Sequence, residues 1–92
     1  MDVYSQIAES IIRHQEAIIG PIAIEQAEQV SELKIDWGHH QVTVTGDPVA
    51  AIDSLVQGYK QLFGQVSVEV SKEAAASLVG RLHPDRLPQT LK

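Results

Sequence analysis

The stretch from Gln41 to Val70 constrains the fold of this chain most. Val42 and Val44 alternate with polar residues, as in a half-buried strand. Asp47 and Pro48 follow a glycine and suit the start of a helix. An aspartate side chain accepts hydrogen bonds from the amides of the first turn, and a proline at the first helical position lacks only an N–H group that would have no partner within the helix. Apolar residues then recur at helical spacing up to Gly64: Val49, Ile52, Leu55, Val56, Tyr59, Leu62 and Phe63. We therefore expect a strand over 41–45 and a helix over 48–63.

Two further segments alternate apolar and polar residues, over 33–37 and 66–70. The short turn Gly38-His39-His40 predicts an antiparallel hairpin of 33–37 with 41–45. A right-handed crossover through helix 48–63 predicts that strand 66–70 runs parallel to 41–45. The core-facing residues of this sheet are Leu33, Ile35, Trp37, Val42, Val44, Val66, Val68 and Val70. The opposite face is polar and rich in hydroxyls: Lys34, Asp36, Gln41, Thr43, Thr45, Ser67, Glu69 and Ser71.

Helical segments flank this sheet. Asp2 or Ser5 is suited to cap a first helix that continues to about Ile19. Gly20-Pro21 interrupts it, and either a second piece runs from Ile22 to about Ser31 or the helix continues with a kink. A last helix is expected over 72–79, between a Ser71 cap and Gly80.

The predicted fold class is α+β, in the order helix–strand–strand–helix–strand–helix. A three-stranded mixed sheet carries the helices on one face. Residues 1–80 form a single α+β domain, and residues 81–92 form a C-terminal tail that contains two prolines. The sequence shows no internal repeat. The expected core cluster is Trp37, Val44, Ile52, Leu55, Tyr59, Leu62 and Val68.

Charge and composition exclude several classes of function. The 92 residues carry a net charge of −5, and residues 1–36 hold seven acids against Arg13 and Lys34. This charge argues against a nucleic-acid partner, because phosphate binding needs a local excess of basic residues. The absence of cysteine excludes disulfides and thiolate chemistry. Residues 1–15 lack the pattern of a signal peptide, and no apolar run suits a membrane span, so we expect a cytoplasmic protein without membrane contact.

The sequence offers no catalytic, cofactor or metal site. His39 and His40 are adjacent and so point to opposite faces of an extended chain, whereas a metal needs more ligands on one side. His14 falls within the apolar arc of the first helix, and His83 is remote. Gly46-Asp47-Pro48 matches no phosphate-binding motif, and no serine lies in a G-x-S-x-G frame. We expect a non-enzyme without cofactors.

The predicted order of elements, over about residues 5–70, resembles that of type II KH domains and of ring-building modules from secretion and sporulation machines. The first resemblance implies RNA binding, but the G-x-x-G signature is missing from residues 46–66. The second implies self-assembly. No motif assigns the chain to either family.

The first helix carries an unusually wide apolar arc, about half of its circumference, whereas a helix on one sheet needs a stripe little over ~100° wide. The sequence therefore predicts a small adaptor or regulatory domain that binds protein, with a homodimer through this helix as the favoured arrangement. The expected interface comprises Val3, Ile7, Ile11, Ile12, Ile18, Ile19 and, from the tail, Leu87 and Leu91. The alternative is a nucleic-acid-binding module that uses the hydroxyl-rich sheet face.

Overall fold

The computed structural model describes residues 3–92 and shows a mostly helical α+β fold. The helices are α1 (Val3–Ile19), α2 (Ile22–Glu28), α3 (Pro48–Phe63) and α4 (Gln65–Val79), and the strands are β1 (Leu33–Asp36) and β2 (Gln41–Val44). Short 3-10 turns span Trp37–His39, Pro84–Arg86 and Gln89–Leu91. Ser5 lies inside α1 and does not cap it, while the proposed Asp2 cap lies outside the described residues.

The predicted third strand is wrong, since residues 66–70 form the first turns of α4 and the sheet has two strands. The buried residues of α4 recur at helical spacing: Ser67, Val68, Ser71, Ala74 and Ala75. Small and hydroxylated side chains make this stripe, whereas the valine Val66 is exposed. The three-stranded mixed sheet and its crossover are therefore absent. The resemblance to KH and ring-building domains, which depended on this strand, fails with them.

The predicted hairpin is confirmed. β1 and β2 pair antiparallel, with Leu33 opposite Val44 and Ile35 opposite Val42, so these four side chains share the face that packs on the core. Trp37 lies in the connecting turn instead of in the strand. The Trp37 indole Nε1 donates to the Glu16 carboxylate at 3.2 Å. The Trp37 and His40 rings form a T-shaped, edge-to-face contact.

The predicted helix boundaries agree with the structure at both breaks. α1 ends at Gly20, which has φ +75°, and α2 follows Pro21, so the helix is broken and not kinked. Asp47 caps α3, because its Oδ1 accepts from the Val49 amide at 3.0 Å. Pro48 is the first residue of that helix.

A single residue, Gly64, joins α3 to α4. Its φ of +81° and ψ of −167° lie in a region that only glycine adopts without strain. The Gly64 amide donates to the Lys60 carbonyl at 2.7 Å, and its carbonyl accepts from the Ser67 amide at 3.1 Å. One residue thus ends one helix and starts the next.

We expect Gly64→Ala to lower the free energy of unfolding by roughly 1–3 kcal/mol, through backbone strain alone. No neighbouring atom lies within 4 Å of an added methyl group. Gly80→Ala is the matched control, because Gly80 has equally open surroundings but an ordinary φ of −63°. Urea unfolding of both variants checks this expectation, and equal effects at the two positions would contradict it.

The core lies between the helices and the inner face of the hairpin. Of the expected cluster, Ile52, Leu55, Tyr59 and Val68 are buried, and Trp37 and Val44 are half-buried against them. Leu62 does not belong to it, because the Leu62 side chain faces solvent near the end of α3.

The C-terminal segment 81–92 packs against α3 and α4. Pro88 and Leu91 are buried. The Asp53 carboxylate on α3 accepts hydrogen bonds from the Thr90 amide at 2.9 Å and from the Thr90 hydroxyl at 2.7 Å. At the other end of the segment, the Tyr4 hydroxyl donates to the Arg86 carbonyl at 2.8 Å. The tail is therefore fixed to the helices at several points.

The four helices form two similar helix–turn–helix units, residues 3–28 and residues 47–72. Each position of the first unit corresponds to the position 44 residues later, so that Ile18 matches Leu62 and Gly20 matches Gly64. Both glycines have positive φ. Seven pairs of equivalent positions are buried in both units: Ile7 with Ala51, Ala8 with Ile52, Ile11 with Leu55, Ile12 with Val56, Gln15 with Tyr59, Ala23 with Ser67, and Ala27 with Ser71. The structure thus contains an internal repeat that the sequence did not reveal.

The two units contact each other reciprocally. α1 of the first unit packs on α4 of the second, and α3 of the second packs on α2 of the first. The repeat ends at residue 28 in the first unit and at residue 72 in the second. The first unit is followed by the β-hairpin, and the second unit is followed by the rest of α4 and the tail.

Candidate functional site

The structure uses most of the predicted interface inside the monomer. Ile7, Ile11 and Ile12 are fully buried, and Leu91 is almost fully buried. Val3, Ile19 and Leu87 are half-buried and pack on the core. The wide apolar arc of α1 is covered by α4, α3, α2 and β2 of the same chain. Of the predicted interface residues, Ile18 alone is largely exposed, so it alone presents most of its side chain to a partner.

Ile18 belongs to a different apolar surface, at one end of the molecule. Among residues 3–92, four large aliphatic side chains are exposed: Ile18 by 63%, Ile22 by 43%, Leu62 by 51% and Val66 by 64%. They flank the two equivalent turns, residues 18–22 and residues 62–66, which we call the apolar end. These ten residues include no charged side chain. A surface of this kind in a folded protein indicates a contact site.

Two buried hydrogen bonds hold the turns together. The Gln15 amide Nε2, three residues before Ile18, donates to the Ser67 carbonyl at 3.0 Å. The Tyr59 hydroxyl, three residues before Leu62, donates to the Ala23 carbonyl at 2.6 Å. Tyr59 is the equivalent of Gln15, and Ala23 is the equivalent of Ser67. The second bond therefore repeats the first, with donor and acceptor in the opposite units. Each unit therefore fixes the turn of the other.

The buried Tyr59 hydroxyl is kept in its donor form. Burial raises the pKa of the Tyr59 phenol well above its usual value of 10.0, because the charged phenolate is poorly solvated there. The bond to Ala23 consequently persists throughout the physiological pH range. The apolar end is thus supported by a hydrogen bond that pH does not switch.

A buried polar seam continues from Gln15 along the α1–α4 contact. Gln15 also donates to the Ser71 hydroxyl at 3.2 Å, and Ser71 donates to the Ser67 carbonyl at 2.8 Å. The Ser10 hydroxyl donates to the Ala74 carbonyl at 2.7 Å. Sequence reasoning missed this seam, because it placed Ser67 and Ser71 on an exposed sheet face. The available signal was the spacing of small residues in α4.

Two grooves lie at equivalent places in the two units and differ in chemistry. The α1–α4 groove, of about 340 Å³, is lined by Arg13, His14, Ala17, Ile18, Val70 and Glu73. The α2–α3 groove, of about 480 Å³, is lined mainly by amides and hydroxyls, including Gln26, Gln29, Ser54, Gln57 and Gln61. At Gly58 a methyl group would lie 2.3 Å from the Gln26 amide. The Gln26 side chain therefore occupies the space beside Gly58.

The histidines do not converge on a site. His39 contacts the Asp36 carboxylate at 2.8 Å, and His40 packs against Trp37. The His14 Nδ1 lies 2.8 Å from the Ser10 carbonyl, so this nitrogen carries the proton. His83 accepts from the Asp85 amide at 3.3 Å. Within residues 3–92 there is no cluster of three side chains suited to hold a metal ion.

Comparison with protein-family models, with curated proteins and with solved structures finds no match to this chain. In the described part of the chain, no helix combines the length and the apolar character needed to cross a bilayer.

Proposed function

We propose that this chain is a small, non-catalytic protein-binding domain and that its binding surface is the apolar end. The observation that supports the proposal is the exposure of Ile18, Ile22, Leu62 and Val66 on two uncharged turns, which buried hydrogen bonds from Gln15 and Tyr59 link. Burying these side chains on association removes apolar surface from water, at roughly 25 cal/mol per Å². Because Gln15 and Tyr59 already fix the turns, little conformational entropy is lost on binding.

The alternative, nucleic-acid binding by a hydroxyl-rich sheet face, has less support. Two of its eight residues, Ser67 and Ser71, are buried between helices, and Glu69 lies on α4. The remaining face, on the hairpin and just after it, offers Lys34 as its only basic residue and Asp36 beside it. Such a surface lacks the excess of positive charge that binds phosphates.

Site-specific photocrosslinking in cells tests the protein-binding proposal. A benzophenone side chain at Ile22 or at Val66 should give discrete protein adducts, because each position lies on the apolar end. The same group at Thr43, on the exposed face of β2, is the control and should give none. The absence of protein adducts at both apolar positions, or adducts of equal yield at Thr43, would contradict the proposal.

A further inference from the structure

We infer that the α2–α3 groove binds an extended polypeptide segment, through hydrogen bonds from glutamine side chains to the backbone of that segment. The groove shares no lining residue with the apolar end, so this inference does not depend on the proposed function. It combines three observations: the unpaired amides that line the groove, their spacing along α3, and the different residues at the equivalent positions of the other unit.

Four glutamine side chains line the groove without partners. Gln26 on α2 and Gln29 just after it form one wall, and Gln57 and Gln61 on α3 form the other. None of these four side-chain amides makes a hydrogen bond to any of residues 3–92. A primary amide donates two hydrogen bonds and accepts others. The groove therefore offers unused donors and acceptors around a space of about 480 Å³, a volume within the range of ligand sites.

The lining favours a neutral ligand that forms hydrogen bonds. Among the described residues of the groove only Glu32 is charged, and its carboxylate accepts from the Ser31 hydroxyl at 3.2 Å. A phosphate would meet no positive charge there, and a nucleobase would find no aromatic side chain on which to stack. A peptide group suits the amides, because it presents one N–H donor and one C=O acceptor without net charge.

The spacing of Gln57 and Gln61 matches the repeat of an extended chain. These residues are four apart on α3, which corresponds to a rise of about 6 Å. In an extended segment, alternate residues turn their N–H and C=O groups to the same side at intervals of about 6.6 Å. Each of the two glutamines can therefore bond one of two alternate residues. The residue between them turns its own groups toward the opposite wall, which Gln26 and Gln29 line.

The fold does not require glutamines at these positions. The first unit packs with different residues at the equivalent places: Arg13 in place of Gln57, Ala17 in place of Gln61, and Val70 of the second unit opposite Gln26 of the first. These three residues line the equivalent α1–α4 groove. Gln57 and Gln61 are moreover exposed, so the core does not depend on them. Their amides are available for binding.

Selection from a random peptide library displayed on phage, with the intact chain as bait, provides the first test. The selected peptides, prepared by synthesis, should bind the chain in fluorescence anisotropy. Gln57→Ala combined with Gln61→Ala should weaken this binding at least about tenfold, because two amides that bond the peptide backbone are lost. Alanine favours helix, so the double variant keeps its fold, which circular dichroism checks. Gln41→Ala, on the exposed face of β2, is the control and should bind as the unmodified chain does. A library that yields no binding peptide would refute the inference.

N-methylation of a selected peptide distinguishes binding of its backbone from binding of its side chains. A methyl group on the backbone nitrogen of a residue bonded by Gln57 or Gln61 should weaken binding to the unmodified chain at least about fivefold. The same methyl group should have little further effect on binding to the double variant. Equal effects of every methyl group on the two proteins would overturn the inference. If Ile22→Glu abolishes binding and the double variant does not, the peptide binds the apolar end, so this inference fails while the proposed function gains support.

Discussion

Ile12→Glu is expected to abolish the folded state. Ile12 lies on α1, and its side chain is fully buried against the rest of the core. A carboxylate there must either lose its hydration without a partner or displace the packed helices, and both outcomes cost several kcal/mol. A domain of this size has roughly 5–10 kcal/mol of stability. Far-ultraviolet circular dichroism at 25 °C should therefore show loss of helix.

Ile18→Glu is the matched control, because it makes the same change six residues later on the same helix. Ile18 is largely exposed, so this variant should keep its fold and lose less than about 1 kcal/mol of stability. The interface expected from the wide apolar arc of α1 includes Ile12, and a charge placed in such an interface would separate two copies and leave each one folded. A folded Ile12→Glu variant would show that α1 is not packed as the structure has it.

Local chemistry made half of this fold predictable. Asp47 and Pro48 define the start of α3, and Gly20 and Pro21 separate α1 from α2, because each of these residues has few alternatives open to its backbone. The hairpin follows from strict alternation on both sides of a short polar turn. In every case the decisive residues are close in sequence, so no knowledge of distant contacts was needed.

The second half of the chain was not predictable in the same way. Val66, Val68 and Val70 alternate as in a strand, yet α4 buries Ser67, Ser71 and Ala74 and pairs them with α1. The partner of Ser67 and Ser71 is Gln15, some fifty residues earlier. Polar residues are not counted in apolar periodicity, so this tertiary contact outweighed the local β-propensity of valine.

The internal repeat was hidden for a related reason. Between residues 3–28 and 47–72 the identical pairs are Ser10 with Ser54, Gly20 with Gly64, and Glu25 with Glu69. Gln15 and Tyr59 differ in chemistry, but both fill the core and donate a hydrogen bond to a backbone carbonyl of the opposite unit. The predicted interface lists both buried and exposed isoleucines of α1, because the covering helix α4 was taken for a strand. The apolar end was visible only once both turns could be placed together.

Leu55→Ala should lower the free energy of unfolding by about 2–5 kcal/mol, through lost burial and the cavity left behind. Leu55 is fully buried on α3 and is equivalent to Ile11 on α1, which is also fully buried. Ile11→Ala should therefore cost an amount within the same range, because both side chains face the contact between the two units. Urea unfolding monitored by the fluorescence of Trp37, which lies against this core, measures both losses.

Leu62→Ala distinguishes the packing in the structure from the packing that helical periodicity alone suggests. Periodicity places Leu62 in the same core cluster as Leu55, which would predict a loss of several kcal/mol. The structure leaves half of the Leu62 side chain in solvent, so its truncation should cost less than about 1 kcal/mol. Combined with the benzophenone group at Ile22, the same change should lower the yield of protein adducts, since Leu62 belongs to the apolar end. A large loss of stability without a change in adduct yield would place Leu62 inside the monomer and remove one of the four side chains on which the binding surface depends.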